Sequence, residues 1–250
     1  MVHGLADYVE YWLPSFASLA ARHRVYALDL PGHGLTDKPL DVPYTIEFLA
    51  EFVRDFIKTL GIERAHIIGH SLGGAVSAHF AIRQPEMVET LTLISSAGLG
   101  KQADIGTRLL TLPMLGEKMM RLNRSGVETF FKNFVYDQSL IDDHLIDLQL
   151  TMALQPSAKT AVFKTLRAMS NLLGQKKSMY NFILDGLTTF AKPLFILWGR
   201  DDPVVPVSHG QALMQRKPNA RLKIFEKCKH LPMLEHTQEF NETLADWLTA

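Results

Sequence analysis

Ile67-Ile68-Gly69-His70-Ser71-Leu72-Gly73-Gly74-Ala75 is the stretch whose reading decides how this chain folds. Ala65 to Ile68 is a short apolar run with β-branched residues, the pattern of a strand buried in a parallel sheet. Leu72 to Gln84 has the length of a helix and stops at Pro85. The junction, Gly69-His70-Ser71-Leu72-Gly73, is a G-x-S-x-G sequence. Alone, that pattern arises by chance in about one chain in ten of this size, since Gly and Ser are each roughly 7% of residues. Set between a strand and a helix, it specifies a sharp turn with the serine at its apex. The turn is crowded, so the positions two before and two after the serine must be small. It lifts the Ser71 hydroxyl clear of the backbone and aims the Leu72 N–H at whatever Ser71 attacks.

Outward from this elbow, helix and strand alternate. Glu10 to Arg22 carries Trp12, Leu13, Phe16, Leu19 and Ala20 at helical spacing, and Arg24 to Leu28 reads as a strand. Asp29-Leu30-Pro31-Gly32-His33-Gly34 is a turn-rich loop. Thr45 is an N-cap for a helix that places Ile46, Leu49, Val53, Phe56, Ile57 and Leu60 on one face and ends at Gly61. Thr90 to Ile94 is a strand after the elbow helix. From Leu99 to Phe190 no strand stands out, and the segments Gly106–Leu115, Gly126–Phe134, Ser139–Leu154 and Ser157–Leu173 read as helices. Alternation resumes with a strand at Pro193–Trp198, a helix at Ser208–Arg216, a strand at Arg221–Phe225 and a last helix at Thr237–Leu248. The expected class is α/β: a mostly parallel sheet flanked by helices. Residues 1–98 and 191–250 form the core, and residues 99–190 are a helical lid over the carboxyl ends of the strands, where open α/β sheets bind ligands.

Composition narrows the function. The 250 residues are 47% hydrophobic and 21% charged with zero formal net charge, a globular composition with no bias toward nucleic acid or anionic membranes. No apolar run is long enough to span a membrane, and the N-terminus lacks a signal-peptide pattern. The single Cys228 excludes an internal disulfide and fits a cytoplasmic setting. Metal-ligand spacings, a P-loop and G-x-G-x-x-G are all missing, so no metal or cofactor is expected.

A serine hydroxyl needs a neighbouring base, and the base an orienting acid. In this kind of sheet the chain order is serine, acid, histidine, each on a loop after a strand. After Trp198 comes Gly199-Arg200-Asp201-Asp202, so the acid is Asp201 or Asp202. After Phe225 the only histidine of the loop is His230. The loop after Ile94 holds no acid before Asp104. His70 adjoins Ser71 but points away at an elbow, which gives it a structural reading.

The motifs His3-Gly4, Asp29 to Gly34, Gly69 to Gly74, Trp198 to Asp202 and His230-Leu231-Pro232 with Glu235 resemble those of the α/β-hydrolase superfamily over essentially the whole chain. The resemblance implies Asp202 rather than Asp201 as the acid and Leu5 as the second oxyanion N–H beside Leu72. Ser71 separates the chain from relatives with an aspartate nucleophile. Phe134–Ile141 and Phe225–Asn241 are similar to meta-cleavage product hydrolases, which cut carbon–carbon bonds. Those relatives carry a tryptophan where Leu231 stands and a lid arginine near Gln149, so the departures favour a neutral ester. The expected activity is a serine esterase on a small-to-medium apolar ester, working as a monomer or homodimer. The alternatives are a C–C hydrolase and a non-catalytic or truncated hydrolase-fold chain. Truncation is an expectation because the His-Gly pair follows a complete central strand in the superfamily and only Met1-Val2 here. The N-terminal strands are therefore expected to be missing.

Overall fold

Parallel strands around the elbow carry the architecture in the computed structural model, which describes residues 1–249. The strands β1 (Ala65–His70), β2 (Val88–Ile94), β5 (Leu194–Gly199) and β6 (Arg221–Phe225) form one sheet in the order β1-β2-β5-β6, every pair parallel. A hairpin of β3 (Ser170–Asn171) and β4 (Gly174–Gln175) stands apart from it. Alternation along the strands sends side chains to opposite faces. Ile67, Leu91, Leu93 and Ile196 pack under α2 (Ile46–Thr59), α3 (Leu72–Arg83) and α10 (Ser208–Arg216). Ile68, Ile94, Phe195 and Leu197 face α1 (Leu13–Ala20) and α12 (Thr237–Thr249). Apolar strands covered on both faces are what a parallel sheet requires.

Local signals act as the sequence suggests. Thr45 Oγ1 accepts from the Phe48 N–H at 3.2 Å, capping α2. The segment after β2 folds as α4 (Ile105–Leu110), α5 (Leu115–Met119), α6 (Arg124–Phe134), α7 (Asp143–Ala153) and α8 (Ala158–Met169). Asp104, Asn123 and Asp142 cap α4, α6 and α7 through their side chains. Three helices escape the sequence reading: α5, the single turn α11 (Pro232–Glu235), and α9 (Lys177–Thr189), which buries Ile183 and Leu187 in the sheet core and packs Phe182 4.6 Å from the His79 ring of α3. Helix α9 belongs to the layer that flanks the sheet.

The expected strand at Arg24–Leu28 is reduced to a single bridge. A strand exists only through its ladder, and the bridge here is the one pair of Val2 with Leu28. Val2 N–H donates to Ile68 O at 2.8 Å, His70 N–H to Val2 O at 2.9 Å, and Leu28 N–H to Met1 O at 3.4 Å. A cavity of about 340 Å³ lies between Val25, Tyr26 and Ile67, Ile68.

Glycine at the elbow is a matter of space. A Cβ on Gly69 would lie 2.2 Å from Gly73 O, and one on Gly73 would lie 2.3 Å from Val2 O and 2.4 Å from His3 O. These obstacles are backbone and cannot rotate away. Gly73→Ala is therefore expected to cost about 3 kcal/mol or more, by forcing α3 off the Val2–His3 segment. Urea unfolding checks this; an unchanged midpoint would show that the segment gives way freely.

Candidate active site

The loops after β1, β5 and β6 converge at the carboxyl edge of the sheet. Ser71 sits between β1 and α3 with φ 51° and ψ −115°, a conformation an L-residue adopts only when its surroundings enforce it. The enforcement is visible. Ser71 N–H donates to Ile94 O at 2.9 Å, and Ser71 O accepts from Gly74 N–H at 3.0 Å and Ala97 N–H at 3.0 Å. The side chain stays half-buried. Leu72 opens α3, so its N–H has no intrahelical acceptor, and no side chain caps the helix start.

The second wall is the turn Gly4–Asp7. Asp7 N–H approaches Gly4 O at 3.4 Å, Ala6 sits at φ 62°, and Gly4 N–H donates to Asp7 Oδ2 at 3.1 Å. A Cβ on Gly4 would lie 3.2 Å from Ser71 Cβ, which puts this turn, with Leu5 in its middle, against the serine. His3 anchors it from behind: Nδ1–H donates to Gly4 O at 2.7 Å and Nε2 accepts from Leu30 N–H at 3.0 Å. Burial holds the His3 ring below its usual pKa despite nearby Asp7 and Asp29, consistent with this neutral form.

The acid and the histidine meet directly. Asp202 Oδ2 lies 2.8 Å from His230 Nδ1, with both side chains buried. Asp202 Oδ1 accepts from Val204 N–H at 2.8 Å and Val205 N–H at 3.0 Å, which fixes the carboxylate plane. Asp201 is exposed and uses its backbone N–H on Cys228 O. Burial alone would push the His230 ring down, but the charge and hydrogen bond of Asp202, with Asp7 and Asp104 further away, hold it above its ordinary pKa. Ser71 and His230 are brought together through His70: its ring packs 4.8 Å from that of His230, and its Nε2 lies 2.9 Å from His230 O. No hydrogen bond within 3.5 Å joins Ser71 Oγ to His230 among the described residues.

The helical segment clamps the same histidine. His230 N–H donates to Phe134 O at 3.0 Å, and the Phe134 ring stands edge-on to the imidazole at 5.3 Å. Glu235 accepts from Lys229 N–H at 2.8 Å and from the Tyr136 N–H, tying the histidine loop to the end of α6. Beside the Gly4–Asp7 turn lies a cavity of about 460 Å³ lined by Ala6, Leu110, Met119, Phe130, Met152 and Val162 among others. Of the apolar residues between 109 and 134, Leu110, Met119, Met120, Leu122, Val127 and Phe130 line it. Phe131 is sealed in the core, while Met114 (76% exposed) and Leu115 (44%) face outward. Gln149, at the cavity wall, is spent on Tyr11 Oη at 3.1 Å and Ala6 O at 3.0 Å. Asp7 and the Phe134 carbonyl were not legible as site residues, because nothing local marks them.

No group of three or more His, Cys, Asp or Glu side chains able to hold a metal ion occurs among the described residues. No helix there is long and apolar enough to cross a membrane. Comparison with known proteins names the family. Residues 1–237 match the family model for the alpha/beta hydrolase fold. The chain belongs to the α/β-hydrolase family.

Among its relatives in that family, an uncharacterized protein of Mycobacterium tuberculosis is 35% identical over 248 residues, 96% of this chain and 72% of the relative. A 2-hydroxy-6-oxononadienedioate/2-hydroxy-6-oxononatrienedioate hydrolase of Paraburkholderia phymatum is 27% identical over 98% of this chain and 83% of the relative. The solved structure of a 2-hydroxy-6-oxo-6-phenylhexa-2,4-dienoate hydrolase from Rhodococcus superposes with a TM-score of 0.83 at 23% identity, covering 100% of this chain and 89% of that one. At that identity the superposition speaks for the fold. Such a hydrolase acts on a small molecule, and its substrate is the question the site must answer.

Proposed function

We propose that this α/β hydrolase is a serine carboxylesterase for a small-to-medium apolar ester. One observation carries the reading: a buried Asp202–His230 pair 2.8 Å apart, on the loops after β5 and β6, beside a serine held in a strained elbow. In this reading His230 takes the Ser71 proton as Oγ attacks the ester carbonyl. Asp202 keeps the imidazole in the tautomer with its proton on Nδ1 and stabilises the imidazolium that forms. The N–H groups of Leu72 and Leu5 receive the negative charge, each such donor being worth about 10²–10³ in rate. His230 then protonates the leaving alcohol, and water cleaves the acyl-enzyme by the same steps in reverse.

The cavity beside the turn supports an apolar acyl or alcohol group. Gln149 and Leu231 support a neutral substrate over an anionic dienol, since neither supplies a cation or an indole N–H. Cys228 is unpaired and buried, which fits a reducing, cytoplasmic compartment for a monomer or homodimer. The relative from Paraburkholderia keeps C–C hydrolysis as the second reading.

A graded series of nitrophenyl esters assayed against a vinylogous diketone separates the two. Ester turnover with saturable kinetics is the expected result; turnover of the diketone alone overturns the ester reading. A fluorophosphonate probe that leaves Ser71 of the folded protein unlabelled overturns both and leaves a non-catalytic chain.

A further inference from the structure

His70 sits next to Ser71, is 1% exposed, and touches two acceptors. Its Nδ1 lies 3.2 Å from Asp7 Oδ2, and its Nε2 lies 2.9 Å from the carbonyl oxygen of His230. A neutral imidazole owns one N–H and one lone pair. Either neutral tautomer would satisfy one of these oxygens and present a lone pair to the other. Oδ2 keeps the Gly4 N–H in either case, but a ring lone pair turned toward a carbonyl or carboxylate oxygen in a buried site is repulsive and leaves that nitrogen without a partner. Turning the ring over would place carbon atoms at both contacts and lose both bonds.

An extra proton removes the conflict, on the carboxyl or on the ring. Asp7 decides between them. Its Oδ2 also accepts from the Gly4 N–H at 3.1 Å, a bond that an ionised carboxylate oxygen accepts better than the hydroxyl oxygen of a carboxylic acid. Burial pushes the Asp7 carboxyl up, yet the hydrogen bond and charge of His70, together with His3 and His230, hold the group below its ordinary value. We propose that Asp7 and His70 are positioning residues that form a buried ion pair. In it His70 stays doubly protonated at neutral pH, and this imidazolium locks the Gly4–Leu5 turn and the His230 loop onto the elbow.

The pair joins three segments that are remote in sequence. Asp7 holds Gly4 N–H, and so the turn that carries Leu5. His70 is the last residue of β1, one before the nucleophile. The His230 carbonyl belongs to the residue whose ring pairs with Asp202. The titratable groups facing His70 are Asp7 and His3 from the N-terminal turn and His230, with Asp202 behind it, from the histidine loop. The His3 ring is neutral and bonded elsewhere, so Asp7 is the anion that answers the imidazolium. Loss of the ring proton would turn a lone pair toward one of the two oxygens and release one of the two loops.

This inference rests on the proposed hydrolase for its catalytic meaning, but the protonation can be read without turnover. In protein labelled with nitrogen-15 at histidine, the ring signals of His70 are those missing from His70→Gln. The expected result at pH 7 is two protonated ring nitrogens. A single protonated nitrogen on His70 in the native protein overturns the ion pair. In Asp7→Asn the amide can donate to Nδ1, so the ring is expected to become a neutral imidazole with its proton on Nε2. The fluorophosphonate reaction of Ser71 is expected to slow by about 10- to 100-fold as the loops loosen. Labelling at the native rate in a variant whose ring has become neutral overturns the positioning role. If Asp7→Asn does not fold, the native spectrum decides the ion pair, and the labelling rate of His70→Gln decides the positioning: a fall of about 10- to 100-fold supports it and a native rate overturns it. Native protein that never labels would defeat the hydrolase reading, and the positioning role with it, while the ring spectrum still decides the ion pair.

Discussion

Ser71→Ala is expected to lower kcat/KM for any ester substrate by at least about 10⁴-fold and to abolish fluorophosphonate labelling, with no change in fold. The reason lies in what the side chain does not do. The elbow is held by backbone: Ser71 N–H to Ile94 O, and Ser71 O to the N–H groups of Gly74 and Ala97. Alanine keeps all three bonds and the same φ of 51°. Removing Oγ therefore removes a reacting atom and no support, and thermal unfolding of the variant is expected to stay within about 0.5 kcal/mol of the native protein. Some rate over water is expected to persist, because in the proposed mechanism Leu72, Leu5 and the cavity still hold the ester. Activity within tenfold of the native protein would mean that another group attacks the carbonyl, and Ser71 would lose its place in the mechanism.

What could be read in the sequence follows how local each signal is. The β1–elbow–α3 unit is written in consecutive residues: an apolar run, a serine between glycines, a helix closed by Pro85. The loops of Asp202 and His230 are legible for the same reason, since each directly follows a strand of apolar residues. The fold class follows from them, and the family match and superposition agree with it. The strand at Arg24–Leu28 is apolar enough to be read as one, but a ladder needs a neighbour, and the bridge is the one pair of Val2 with Leu28. Helix α9 was hidden because its apolar residues adjoin a run of helices, and only packing on α3 reveals which layer it joins. The cavity wall is not legible in the sequence for a similar reason. Met114 and Leu115 have the same chemistry as Met119, and only the path of α5 turns them to solvent. His70 was read as structural, and it is buried; what it binds, Asp7 and the His230 carbonyl, depends on contacts across 63 and 160 positions.

Asp202→Asn is expected to cost about 10⁴ in kcat while leaving the loop in place, and the hydrogen bonds say why. Oδ1 receives the N–H groups of Val204 and Val205, two donors an amide NH₂ cannot satisfy. The oxygen of the new amide must remain there, so its nitrogen faces His230 Nδ1. That nitrogen donates, Nδ1 must accept, and the single proton of the neutral ring moves to Nε2. The lone pair that should take the proton of Ser71 is then on the wrong side. The pH profile supplies a second readout. In the native protein Asp202 outweighs burial and raises the His230 pKa above 6.5. The base works only when unprotonated, so kcat/KM is expected to rise with pH through a midpoint above 6.5 and to fall on the acid side. Without the carboxylate, burial dominates, and the acid limb of the residual activity should move below that of the native protein. An acid limb that stays where it was, with kcat within tenfold of native, would show that His230 is oriented by some other group, and Asp104, the further acid already acting on the ring, would be the first to test in its place.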